Sequence, residues 1–158
     1  MLRNRLFFAL VFISMMATNA FAQSVSEGQS VSGAKIHNDL GDALFDQGKY
    51  REAIAEYSRA ISIEPENWLT WKTVGRAHYS LKETDLAIAA FDKAIQYYQN
   101  DPAVYYYRAT LYVLKSRYQP ALQDINRSIE LAPEHANRYV LRANIFYSLG
   151  DYDLALAD

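Results

Sequence analysis

The 158-residue sequence contains no cysteine, so no disulfide can hold the fold and packing alone must do so. It has no glycine-rich phosphate loop and no Ser or Cys nucleophile motif. Its three histidines, His37, His78 and His135, are scattered, without the close spacing or shared face that a metal site needs. The first two fall in bulky columns and are expected in the core. Cations are not in excess either: the net charge is −2, which gives no electrostatic reason to bind nucleic acid or anionic lipid. These absences predict no catalytic residues, no metal and no cofactor, hence no enzyme within these residues.

One apolar run exists, but it is short. Leu6 to Ala17 follows a basic start at Arg3 and Arg5 and precedes Ala20-Phe21-Ala22 and Gln23. A basic start, a short apolar stretch and an A-x-A site make the pattern of a cleaved secretory signal peptide, expected at 1–22. A membrane span needs roughly 20 apolar residues. The alternatives are an uncleaved anchor or a buried N-terminal helix. Removing the segment takes away two arginines and no acid, so net −2 becomes −4. The absence of cysteine after the cleavage site argues against a lipid anchor. Residues 23–33, QSVSEGQSVSG, are small and polar and read as a flexible leader.

From residue 34 onward the chain repeats. Shifted against itself by 34 residues, it aligns Ala53, Ala87, Ala121 and Ala155, and the small residues Gly41, Gly75, Ala109 and Ala143. Leu44, His78, Tyr112 and Phe146 form a bulky column, as do Tyr57, Phe91 and Ile125. Tyr50, Tyr118 and Tyr152 agree, with Thr84 as the exception. Each period holds two helical patterns. Leu40, Gly41 and Leu44 share one face of the first, and Tyr50, Ala53, Ile54, Tyr57, Ala60 and Ile61 recur every three or four residues in the second. Asp101-Pro102 is a cap followed by a first-turn proline, and Pro120 also falls in a first turn. Helices are predicted at about 34–47, 50–63, 68–81, 84–98, 102–115, 118–131, 136–149 and from 152 onward. No helix pair can bury its apolar face alone, so pairs must stack. A small residue on the first helix should let the second approach closely.

The pattern resembles the tetratricopeptide repeat (TPR). In the first repeat Leu40, Gly41, Leu44, Gly48, Tyr50, Ala53, Tyr57, Ala60 and Pro65 match its signature; the second opens with Trp68, Trp71, Val74 and Gly75. The resemblance covers 34–158, as repeats 34–67, 68–101 and 102–135 and a partial repeat 136–158. It implies an all-α, right-handed α-solenoid of stacked helix-turn-helix units whose first helices line a concave groove. Departures are Thr84, Gln99, and Lys82 and Ser116 where glycine is usual; the last two are expected to loosen their turns. The partial repeat, with Leu154 and Leu156 and no polar capping helix, suggests a truncated sequence.

Residues of the first helices that face away from the core follow from spacing. Asn38, Asp42 and Phe45 share columns with Lys72, Arg76 and Tyr79; with Tyr106, Thr110 and Val113; and with Val140, Asn144 and Tyr147. The resemblance makes Phe45, Lys72, Arg76, Tyr79, Tyr106, Thr110, Val113, Asn144 and Tyr147 the candidate groove. Its stripe Phe45, Tyr79, Val113, Tyr147 either anchors a ligand or packs on the adjacent repeat. Asp39, Asp42 and Asp46 form an acidic face, which could serve a ligand but is more simply solvated. Tyr50, Tyr57, Tyr97, Tyr112, Tyr118 and Tyr152 are expected in the core. Some members of the family clamp a terminal carboxylate with Lys and Asn. Lys72 fits that pattern, but Arg76 and Tyr107 replace the asparagines, so the clamp is not carried over.

The reading is a protein-interaction module of the cell envelope, periplasmic or otherwise secreted, that binds a protein or peptide segment, with no membrane insertion after signal cleavage. Two alternatives stand beside it: the partner-binding arm of a larger envelope enzyme continuing past Asp158, and a structural protein self-associating through its open C-terminal end.

Overall fold

A computed structural model describes residues 33–158. The proposed signal segment and most of the leader lie outside the described residues. Eight helices and no strand occur among the described residues: α1 (33–46), α2 (Tyr50–Ile63), α3 (Trp68–Ser80), α4 (Thr84–Tyr97), α5 (Pro102–Leu114), α6 (Tyr118–Leu131), α7 (Ala136–Leu149) and α8 (Tyr152–Ala157). These bounds lie within one residue of those predicted. The starts have visible causes. Asp101 Oδ1 accepts from the backbone N–H groups of Ala103 and Val104 at 2.9 and 3.0 Å, with Pro102 occupying the first turn. Asn67 caps α3 in the same way.

Helices pack on their neighbours in chain order. The tightest packing is within a pair, α3 on α4 and α5 on α6, and α5 also touches α7. The result is a stack and not a closed bundle. The core runs through it as three buried clusters, joined by the partly buried Trp71 and Tyr112. Ala53 and Tyr57 of α2 meet Val74 of α3 and Ala90 of α4. Phe91 of α4 meets Val104 and Leu111 of α5, and Ala109 of α5 meets Ile125 of α6 and Ile145 of α7. A buried aromatic such as Phe91 contributes roughly 1.5–3 kcal/mol.

The small column works as expected. A β-carbon added at Gly75 would lie 2.5 Å from the ring of Phe91, and one at Gly41 would collide with the ring of Tyr57. Glycine is needed on the first helix because an aromatic ring of the second occupies the space its side chain would fill. In the third repeat the pair is Ala109 and Ile125, both fully buried. There the methyl group returns and the ring is gone.

A polar ladder crosses the repeats. Arg108 of α5 donates to Asp92 of α4 at 2.6 Å and, through two nitrogens, to Asp124 of α6 at 2.7 Å. One repeat later Arg142 of α7 donates to Asn126 of α6 at 3.1 Å and to Asp158 after α8. Each arginine therefore ties its own repeat to the one before. Bidentate geometry makes such pairs directional as well as strong.

Four expectations need correction. The turns at Lys82 and Ser116 are not loosened. Both residues take the left-handed conformation, φ 60° and 54°, beside 74° at Gly48 and 88° at Gly150. Lys82 and Ser116 donate to the Tyr79 and Val113 carbonyls at 3.0 and 2.8 Å, as Gly48 does to Phe45 at 2.8 Å. Packing holds the turn geometry fixed, so the missing glycine appears as backbone strain and not as slack. His37 and His78 are not part of the apolar core: His37 is half-buried, His78 is largely buried, and they hydrogen-bond to Glu56 and Glu83, both at 2.7 Å. Leu40 is 47% exposed whereas Val74 in the same column is buried, because α2 covers Val74 and no described helix precedes α1. Tyr152 is 58% exposed, with Tyr147 as its aromatic neighbour, because no described element packs over α8.

Candidate partner-binding wall

The first helices of the pairs stand side by side. Thr70 of α3 donates to Asn38 of α1 at 3.0 Å, Tyr79 of α3 meets Tyr107 of α5 edge-on at 5.4 Å, and α5 touches α7. Together they form one wall, with the second helices behind it.

Between α1 and α3 this wall opens into a cleft of about 360 Å³ lined by Asp42, Phe45, Asp46, Tyr57, Leu69, Lys72, Thr73 and Arg76. It brings together three predicted groove residues, Phe45, Lys72 and Arg76. The guanidinium of Arg76 lies 4.9 Å from the Phe45 ring centroid, so this aromatic is half covered by a cation. Lys72 reaches away from the acidic face: its Nζ pairs with Asp101 at 2.6 Å, with both side chains largely buried. Asp42 accepts from the Tyr57 hydroxyl at 2.7 Å. Burial, then the hydrogen bond to Asp42, pushes the Tyr57 hydroxyl above its ordinary range, so it remains a donor. The cleft thus offers carboxylates on the α1 side, a guanidinium on the α3 side and an apolar ring between them. It suits a segment with charges of both signs.

The other predicted residues lie elsewhere. Tyr79 belongs to a separate hollow with Leu111 and Leu114. Burial, then the neighbouring Tyr106 and Tyr107, raises its hydroxyl pKa. Tyr106 and Val113 are half-buried against the α5–α6–α7 core, and Thr110 bonds to the Tyr106 carbonyl of its own helix at 2.9 Å. Asn144 is exposed, and Tyr147, 67% exposed, meets Tyr152 edge-on. The apolar stripe is therefore divided. Phe45, Tyr79 and Val113 pack partly on neighbouring elements and Tyr147 stands free of the core. Leu69 and Thr73 line the cleft but were not among the sequence candidates. They sit beside the 34-residue columns used to choose residues, and only the angle between α1 and α3 admits them. A larger, open hollow of about 690 Å³ lies off the wall, where the α2–α3 turn meets Tyr97. Among the described residues no group of three or more His, Asp or Glu is placed to hold a metal ion.

Comparison with known proteins agrees with this architecture. Residues 38–105 match the tetratricopeptide repeat family model. The Dictyostelium discoideum protein STIP1 homolog is 29% identical over 85 residues, which cover 54% of this chain and 15% of that protein. The chain thus spans well under a third of that relative. Among solved structures, a crystal structure of MamA aligns with a TM-score of 0.76 at 22% identity, covering 79% of this chain and 68% of the other. The first TPR domain of Spaghetti (RPAP3), bound to the HSP90 peptide SRMEEVD, aligns with a TM-score of 0.73 at 24% identity, covering 75% and 94%. Residues 38–105 therefore match the tetratricopeptide repeat in sequence, and the described stack shares the fold of these solved structures.

Proposed function

We propose that the protein is a non-catalytic interaction module that holds a peptide or protein segment against the wall of first helices, with the α1–α3 cleft as the docking point. The observation that carries this reading is the cleft itself: a half-exposed aromatic under a guanidinium, faced by Asp46, on a rigid scaffold. Aromatic and arginine side chains are enriched among the residues that supply most of the affinity at interfaces, and the Arg76 guanidinium already rests on the Phe45 ring. The RPAP3 domain, of the same fold and bound to a peptide, supports the reading. A short stack presents a small interface, so affinity is modest.

The test is position-dependent photo-crosslinking. A photoreactive residue at Asp46 or Arg76 should crosslink to a partner, and one at Arg59 or Lys93, exposed on the second helices, should not. Equal crosslinking from both faces, or crosslinks only from the second helices, would discard the cleft.

Export to the periplasm, or secretion, is part of the same proposal and rests on residues 1–22 alone. N-terminal sequencing of the protein from its native source should begin at Gln23; a start at Met1 or Leu2 would remove this part.

A further inference from the structure

One column of the repeat is broken, and the break leaves a hole. Tyr50, Tyr118 and Tyr152 open the second helices of repeats one, three and four, but Thr84 opens that of repeat two. Where the tyrosine is present beside an aromatic, it fills the space next to that ring. Tyr50 meets Phe45 edge-on at 5.1 Å and 68°, and Tyr152 meets Tyr147 at 5.3 Å and 64°. At the equivalent place in repeat two there is a hollow of about 500 Å³ lined by Tyr79, Ser80, Lys82, Thr84, Leu111 and Leu114. Leu111 is buried and forms the floor. Leu114, 68% exposed, stands at the mouth with Ser80 and Lys82.

The structure assigns to this hollow a socket for the aromatic side chain of an acidic peptide segment. The ring is specified by the fold itself, since the same position takes a phenol elsewhere in the chain and Tyr79 stands where Phe45 and Tyr147 receive it. Edge-to-face placement at about 5 Å is the favoured aromatic geometry. The charge is specified by the mouth. Asp85, next to Thr84, is already matched by Lys115, whereas Lys82 makes no ion pair among the described residues. A carboxylate beside the inserted ring would meet Lys82. The socket lies apart from the α1–α3 cleft and stands whether or not that cleft binds anything.

The test uses N-acetyl-L-tyrosine as probe, followed by amide chemical shifts of the full chain. Saturable shifts at Lys82, Leu111 and Leu114 are expected, with half-saturation at about 1 mM, the range for a ligand of this size. Thr84→Tyr fills the hollow with the residue the other repeats carry. It should raise the melting temperature and weaken probe binding at least tenfold. N-acetyl-L-tyrosinamide, which lacks the carboxylate, should bind several-fold more weakly. Leu114→Asp, at an exposed position that leaves the core untouched, should weaken the acid more than the amide, which keeps a test in hand if Thr84→Tyr does not fold. Lys93→Glu, exposed on the second-helix face, should leave the shifts at Lys82, Leu111 and Leu114 unchanged. The assignment fails if Thr84→Tyr binds the probe as the parent does, if N-acetyl-L-alanine produces the same shifts, or if the shifts never saturate, which would mark an adventitious additive only.

Discussion

The ring of Phe91 lies where the side chain of residue 75 would be, 2.5 Å from a β-carbon built on Gly75. The ring cannot easily withdraw, because it is fully buried and stacks on Tyr107 at 5.8 Å and 7°. Gly75→Ala gains about 1 kcal/mol of helix propensity and loses more to overpacking, typically 1–3 kcal/mol. A net destabilisation of ~1 kcal/mol is expected by denaturant melting. Phe91→Ile should relieve it, since Ala109 and Ile125 form that pair in repeat three. A double-mutant cycle should return a favourable coupling between the two changes. Additivity would show that the small column is not set by the facing ring.

The Arg108–Asp124 pair invites the second test. Asp124 is 5% exposed, and its carboxylate depends on Arg108 for both charge and hydrogen bonds. Arg108→Ala leaves a buried carboxylate unpaired and should cost about 3 kcal/mol. Arg108→Ala with Asp124→Ala should cost less than the single change. Burial pushes the Asp124 pKa up, with Arg108 opposing. Without Arg108 it rises further, so the folded single mutant takes up a proton before the unfolded chain does. Its deficit should therefore shrink as the pH falls through the folded pKa, and a deficit independent of pH would contradict this account.

Ser116 adopts φ 54° and Lys82 φ 60° in turns that glycine occupies in repeats one and four. Left-handed backbone costs a residue with a β-carbon about 1–2 kcal/mol, part of which glycine gives back as unfolded-state entropy. Ser116→Gly should stabilise by ~0.5–1 kcal/mol, seen as a higher melting temperature with an unchanged dependence on denaturant. A lower melting temperature would show that the serine contributes something the backbone does not reveal.

Tyr57 provides an alkaline signature. Its folded pKa is raised by burial and by the bond to Asp42. A group with a raised folded pKa stabilises fully below its unfolded value, about 10 for tyrosine. That stability is lost as the pH climbs towards the folded value, because the unfolded chain releases a proton that the native state keeps. Stability should fall above pH ~10, and the fall should be shallower in Tyr57→Phe. Equal slopes in parent and variant would remove Tyr57 from the explanation.

Glu83 should act at the acid end. The His78 hydrogen bond, ahead of the Arg51 charge, holds its carboxyl below the ordinary range. Its contribution is present above the unfolded value of about 4.3 and is lost as the pH falls through the folded one. His78→Phe should shrink that segment of the acid melting curve, leaving the part owed to Arg51. An unchanged curve would mean that the contact is not formed in solution.

The repeat columns carried most of the fold in plain view. Ala53, Ala87 and Ala121 recur because each lies fully buried at the same point of successive pairs. Gly41 and Gly75 recur because each faces a ring 16 positions on, so the 34-residue period and the two helices per period followed from spacing. The wall was less legible. Phe45 and Tyr79 occupy one column yet open into different hollows, since their surroundings depend on non-repeating neighbours: Arg76 beside one, Leu111 and Leu114 beside the other.

Local sequence thus determined where helices start, stop and turn an apolar face inward, because caps, prolines and a 3.6-residue period act within a few residues of chain. Tertiary structure alone decided that Lys72 would spend its charge on Asp101, that His37 would pair with Glu56, and that Leu111 and Leu114 would wall the hollow at Thr84. Those outcomes depend on atoms brought together by stacking from separate helices and turns, and no periodicity records the angle at which one helix pair meets the next.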